Sequence, residues 1–256
     1  MSDYEEFARA LRQTYQDNGF ALIKQLLSPE VAQRLRKDMA VLFEREPRYA
    51  GDIYDNPGLG DIRIDVFSRY PSVWKAIFDS EILAVLKILL GEDFALLPES
   101  ALHRKGYGTW HKDTDSQQKA GHRFQWEPDC DIVQIAFYLQ ANTPEHGGGL
   151  EVIPGSHRVD MRWYEESQKG LRVLSEAGDM VIFNTRLDHK ACWPVQPVPE
   201  GQEKYAVFFM ASRNNDHARR YIDFIRGRPG YLFMDGFSYP AALQSLARQA
   251  GVNLLV

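Results

Sequence analysis

Of the seven histidines in the chain, His111 alone is followed two residues later by a carboxylate, in His111-Lys112-Asp113. On an extended backbone, residues i and i+2 point to one face roughly 6.6 Å apart, so both side chains can turn toward a single ion. The same pattern also serves as a plain surface hydrogen bond. A third donor shifts the balance. Asp188-His189 follows the turn Gly178-Asp179 and the apolar run 180–184, which sets His189 just past a strand end, where rigid scaffolds commonly present functional groups. Two imidazoles and one carboxylate on one face of a metal leave the opposite positions open, as in facial-triad non-haem Fe(II) sites. Such positions accept a bidentate 2-oxo acid and then dioxygen. A zinc ion that activates water at an open position is the competing chemistry.

These residues need a scaffold, and the chain can supply one. It has 256 residues, of which 44% are hydrophobic and 25% charged, the balance of a globular domain with a sizeable core. A net charge of −5 gives no basic footprint, so nucleic acid is not an expected partner. The first residues lack a basic stretch followed by an apolar one, and the apolar run 82–90 is short and interrupted by Lys87. The expectation is a cytoplasmic protein with no membrane partner. Cys130 and Cys192 form no CxxC pair and are expected to be free thiols.

The first ninety or so residues read as mainly helical. Tyr4, Phe7, Ala8, Leu11 and Tyr15 recur at helical spacing, and Asn18-Gly19 stops that helix before a short strand over 20–23. Ser28-Pro29 caps a second helix, residues 45–70 read as an irregular wrap, and Pro71 and Ser80 restart helices, the last ending at Gly91. From about residue 93 the pattern becomes short strands separated by turns. In 131–139, Val133, Ile135, Phe137 and Leu139 alternate with Ile132, Gln134, Ala136 and Tyr138, a strand with one apolar and one more polar face. Further strands are expected over 150–153, 171–174, 180–184 and 205–210, and closing helices over 217–226 and 240–250. The fold class expected is mainly β with flanking helices, a sandwich or barrel within one domain over 1–256. Its parts would be a helical N-terminal part to about 92, a β core over 93–213, and C-terminal helices over 214–256.

Several pieces in order also resemble a known family. His111-x-Asp113, Gly148-Gly149-Leu150-Glu151-Val152-Ile153-Pro154-Gly155-Ser156-His157, Gly178-Asp179-Met180-Val181-Ile182-Phe183 and His189 look like the phytanoyl-CoA dioxygenase family of Fe(II)/2-oxoglutarate oxygenases. Asp17-Asn18-Gly19-Phe20-Ala21-Leu22-Ile23 with Ser28-Pro29-Glu30 is similar to that family's opening strand and helix. The resemblance implies a double-stranded β-helix, a cupin-like jelly roll, with iron held by His111, Asp113 and His189. It also implies 2-oxoglutarate as co-substrate, dioxygen as oxidant, and a small-molecule metabolite or natural-product intermediate as substrate. Hydroxylation would proceed through a ferryl species with release of succinate and CO2.

The family's basic anchor for the 2-oxoglutarate tail, usually arginine, falls here at Lys204, a point charge instead of a bidentate fork. Arg186 and Arg213 are the reserve candidates, and Gln134 is a candidate co-substrate contact. Ala191 stands where a small hydroxyl residue is common. Halogenating relatives carry Gly or Ala at the carboxylate position, so Asp113 favours hydroxylation. A cupin-like metal-binding protein without catalysis is the alternative from a different class. The loop 114–129, with His122, Arg123, Trp126 and Glu127, is expected to line or cover the substrate. His157 is expected to bond its local backbone, and Arg219, Arg220, Arg226 and Arg228 to form a solvated helix face.

Overall fold

The computed structural model describes residues 3–46, 60–160, 170–228 and 230–256. α1 (Asp3–Asn18) buries Ala8, Leu11 and Tyr15 against the molecule, while Tyr4 and Phe7 remain exposed. It stops at Gly19, whose φ of +80° suits glycine, and a Cβ there would lie 2.4 Å from His157 Nδ1. β1 (Phe20–Ile23) follows. α2 (Pro29–Arg45) starts as its sequence dictates, with Ser28 accepting from the Val31 N–H at 3.3 Å and proline in the first turn.

Within the segment read as irregular lies β2 (Asp61–Ile64), followed by the single-turn α3 (Val66–Arg69). This strand escaped the sequence reading because Arg63 breaks its apolar run. The structure buries that arginine, tying its guanidinium to the Ile62 and Glu46 carbonyls. The expectation for 47–59 lies outside the described residues. α4 (Pro71–Ile77) and α5 (Ser80–Leu90) complete the helical layer.

β3 (Phe94–Arg104), α6 (Asp115–Lys119), β4 (Ile132–Tyr138), β5 (Leu150–Val152), β6 (Leu171–Val173), β7 (Met180–Asn184), β8 (His189–Ala191) and β9 (Tyr205–Arg213) come next. The chain closes with α7 (Asp216–Arg226), α8 (Ala241–Ala250) and β10 (Asn253–Leu254). The large sheet runs β1-β7-β4-β9-β3-β10, with β2 also paired to β3, and the small sheet runs β6-β5-β8. Beyond β8 the small sheet reaches His111 through an isolated antiparallel bridge to His189. Two facing sheets, antiparallel throughout except for the parallel edge pair β3 and β10, make a double-stranded β-helix, or jelly roll.

The period-2 alternation divides the large sheet's side chains between two cores. Val133, Ile135, Phe137, Ile182 and Phe209 face the helices and pack with Leu35, Met39 and Leu86. Ala136, Tyr138, Phe183 and Phe208 face inward onto Leu150, Val152 and Val173 of the small sheet. The more polar face of β4 is therefore the inside of the jelly roll. Phe137 is buried and stacks on Phe209 at 6.3 Å between centroids. Phe137→Ala should cost about 3–5 kcal/mol, read as a lower urea midpoint with an unchanged m-value.

Candidate metal centre and cavity

His111 and His189 meet because their backbones form a closed antiparallel pair. Each N–H donates to the other's carbonyl at 2.9 Å. His189 opens β8 instead of trailing a strand, and Asp113 sits in the turn just after His111. Asp113 Oδ1 lies 3.6 Å from Nε2 of both histidines, and the ligand atoms of all three lie within 4.8 Å of one another.

The tautomers are set from behind. His111 Nδ1 bonds the Thr109 carbonyl at 2.9 Å and His189 Nδ1 the Leu187 carbonyl at 3.0 Å. A carbonyl can only accept, so each Nδ1 carries the proton and each Nε2 turns its lone pair inward. Asp113 Oδ2 is buried with no hydrogen-bond partner. Burial pushes the Asp113 carboxyl up to about 7, opposed by His111 and reinforced by the charge of Glu99. An orphaned carboxylate oxygen and two inward lone pairs fit a divalent cation that takes N and O donors.

Lys112, between two of these donors, is itself buried. Its ammonium pairs with Asp188 at 2.9 Å and donates to the Ser156 and Arg186 carbonyls at 2.8 and 2.6 Å. Asp188 precedes His189, so one ion pair ties together the two chain segments that carry all three donors.

The triad opens on a cavity of about 400 Å³. At one end Lys204 is buried, its ammonium donating to the Gly106 carbonyl at 2.8 Å and lying 5.6 Å from the centre of the Tyr138 ring. Gly148 makes room for it, since a Cβ there would meet the Lys204 side chain at 3.1 Å. Burial lowers the Lys204 ammonium to about 8. Burial and Lys204 together hold His103 down to about 3, so that imidazole is neutral. Gln134 lines the cavity between Phe183 and Met210.

Arg186 and Arg213, the reserve anchors, are turned elsewhere. Arg186 bonds Asn184 and lies over Trp126, and Arg213 lies 3.9 Å from Asp131. From the loop 114–129, Asp115, Ser116 and Lys119 of α6 reach the cavity wall, and His122 and Phe124 line an adjoining groove. Arg123, Trp126 and Glu127 do not line it: Arg123 pairs with Asp160, Trp126 stacks with Lys112 and Arg186, and Glu127 binds Arg220 and His217. His157 bonds the Gln16 carbonyl in α1 and not its local backbone, because Gly19 lets the helix end approach it.

His103, Tyr138 and Glu99 also line the cavity, and so does Arg228, which the sequence places on a solvated helix face and the structure sets beyond the end of α7 beside Glu99. Tyr138 carried a signal, lying four residues after Gln134 on the polar face of one strand. Its hydroxyl is buried with no hydrogen-bond partner.

Residues 15–192 match the family model for phytanoyl-CoA dioxygenase. The chain belongs to the phytanoyl-CoA dioxygenase family. It is 24% identical over 149 residues to the ectoine dioxygenase of Sphingopyxis alaskensis, a match that covers 56% of this chain and 47% of the relative. The chain thus spans about half the length of that curated relative. The crystal structure of EctD from S. alaskensis with 2-oxoglutarate and 5-hydroxyectoine superposes with a TM-score of 0.60 at 20% identity, covering 83% of this chain and 76% of that one. The epimerase SnoN from nogalamycin biosynthesis, described as alpha-ketoglutarate dependent, gives a TM-score of 0.63 at 13% identity over 82% of this chain and 84% of its own. At these identities the shared property is the jelly roll, which this phytanoyl-CoA dioxygenase family member presents with a complete His-Asp-His set. No helix among the described residues is long and apolar enough to cross a membrane.

Removing one partner of a buried ion pair leaves the other charge uncompensated. Lys112→Met should therefore cost about 3–5 kcal/mol in chemical denaturation, and adding Asp188→Leu should restore most of the loss, giving a large coupling in the double-mutant cycle.

Proposed function

We propose that this protein is an Fe(II)- and 2-oxoglutarate-dependent oxygenase that hydroxylates a small molecule. The observation that carries the reading is one cavity holding Asp113 Oδ1 3.6 Å from two histidine Nε2 atoms and, at its far end, a buried ammonium. His111, Asp113 and His189 would hold the iron, and the bound iron would supply the electrons that couple decarboxylation of the 2-oxo acid to activation of dioxygen.

The chain's own residues do the positioning. Lys204 and the Tyr138 hydroxyl receive the distal carboxylate of the co-substrate. A buried ammonium whose hydrogen-bonding partner is a neutral carbonyl gains most from an arriving anion. Phe183, Leu150 and Phe208 keep water from that end, and Gln134 offers its amide to the co-substrate on the inner face of β4. Asp113 completes the donor set, which supports oxygen transfer to the substrate over halogen transfer. Product analysis separates hydroxylation from the epimerisation named for SnoN.

The test is succinate formation with Fe(II), ascorbate and 2-oxoglutarate, together with the visible band that Fe(II) and 2-oxoglutarate give anaerobically. Wild-type protein should show both, and His111→Ala and His189→Ala neither. Succinate formation by the alanine variants at the wild-type rate would overturn the assignment, and a water-activating zinc enzyme would show no band.

The co-substrate anchor carries a pH signature. Around Lys204, Cys192 has its thiol pushed up to about 11, Tyr138 is raised, and His103 is held at about 3, so all three keep their neutral forms near pH 8. Lys204 is protonated below about 8 and neutral above it. The affinity for 2-oxoglutarate should therefore fall as pH rises through 8, approaching tenfold per unit, with little change between pH 6 and 7. Lys204→Met should weaken 2-oxoglutarate binding by roughly 30-fold or more and abolish that slope while leaving iron stoichiometry intact.

A further inference from the structure

The end of the cavity away from Lys204 is built around Glu99. β3 and β9 pair in register up to Leu97 opposite Met210 and resume at Ser100 opposite Phe209, which leaves Pro98 and Glu99 in a bulge. Proline is tolerated there because a bulge gives up ladder bonds. Ser100 Oγ fixes the bulge, accepting from the Val66 N–H at 3.1 Å and donating to the Pro98 carbonyl at 3.3 Å. The result aims a carboxylate into the cavity that the triad shares.

That carboxylate is clasped by the C-terminal part of the chain, outside the residues that match the family model. The Tyr221 hydroxyl donates to Glu99 Oε2 and the Tyr231 hydroxyl to Oε1. Arg228 Nη1 lies 3.6 Å from Oε1 and donates to the Tyr231 hydroxyl at 3.2 Å, with its guanidinium 4.4 Å from the centre of the Tyr231 ring. Both phenols are buried, and the Glu99 and Arg228 side chains are 20% and 21% exposed. Ile62, Ile64 and Met210 supply an apolar wall beside them.

We infer that this cluster is the substrate-recognition site of the oxygenase, and that it takes a neutral, hydroxyl-bearing small molecule with an apolar carbon face. The inference rests on the oxygenase reading for where the reaction occurs, and adds the substrate class. Two observations select it. Both phenols donate to Glu99, with the Tyr221 hydroxyl also 3.1 Å from Met210 Sδ, so the remaining lone pairs of the Glu99 carboxylate favour a guest that donates. Arg228 offsets Glu99 at 3.6 Å, and Asp115 and Lys119 add one charge of each sign to the lining. A cationic guest would compete with Arg228 for Glu99, and an anionic guest would face the carboxylate. A hydroxyl donates without bringing charge, while its carbon skeleton lies on the isoleucines and methionine.

The test uses three probes on one skeleton: trans-cyclohexane-1,2-diol, cyclohexylammonium and cyclohexanecarboxylate. Binding is read by ligand-observed NMR on full-length protein loaded with zinc, as an inert metal, and 2-oxoglutarate. The diol should bind wild-type protein at least about tenfold more tightly than either charged analogue, and Glu99→Gln and Tyr221→Phe should each raise its Kd about tenfold or more. Tyr221→Phe should keep the visible band of the Fe(II) and 2-oxoglutarate complex. A diol that fails to bind, charged analogues that match it, or a diol Kd unchanged in Tyr221→Phe would overturn the inference. Absence of the visible band in wild-type protein would instead overturn the oxygenase reading, whichever probe the cavity prefers.

Discussion

Two backbone hydrogen bonds between His111 and His189, backed by the buried pair of Lys112 and Asp188, bring together donors that lie far apart in the chain. Desolvating a lysine and an aspartate offsets most of their mutual attraction, so such a pair contributes little net stability compared with a well-packed apolar pair. Its contribution on this account is geometric. Each partner is covalently next to a residue of the His-Asp-His set, and any slip of one segment against the other would separate two charges in a dry interior. The imidazole tautomers add to the same preorganisation, since both Nδ1 protons are committed to carbonyls before any ion arrives.

The cavity then divides its labour by charge. One end isolates Lys204 from water and leaves it a neutral carbonyl as hydrogen-bond partner, which raises the cost of the ammonium and with it the reward for an arriving carboxylate. The other end is polar but balanced, with Glu99 already holding two phenols and facing a guanidinium. The triad lines the same cavity. On the proposed reading, this difference in charge would favour an anionic co-substrate at the Lys204 end and a neutral substrate at the Glu99 end.

Much of this was legible in the chain. The alternation of 131–139 located both the strand and its inward face, His111-x-Asp113 and His189 are the residues the structure brings together, and Lys204 is among the basic groups that line the cavity. The helical starts at Ser28-Pro29 and the stop at Asn18-Gly19 also follow from local chemistry. What escaped depends on contacts between distant segments. β2 is four residues long with a buried arginine inside it, and its partner strand alone makes it a strand. Glu99 points into the cavity through a bulge that no local periodicity encodes, and Arg228 reads as one of several surface arginines until α7 carries it onto Tyr231. Trp126 and Glu127, near the metal clip in sequence, turn away because Lys112, Arg186 and Arg220 engage them first.

The most direct measurement is anomalous diffraction at the iron edge from crystals equilibrated anaerobically with Fe(II) and 2-oxoglutarate. One iron peak per chain is expected within bonding distance of His111 Nε2, Asp113 Oδ1 and His189 Nε2, with density for the co-substrate's distal carboxylate against Lys204 Nζ. Iron at any other set of residues, or a 2-oxo acid seated away from Lys204, would contradict it.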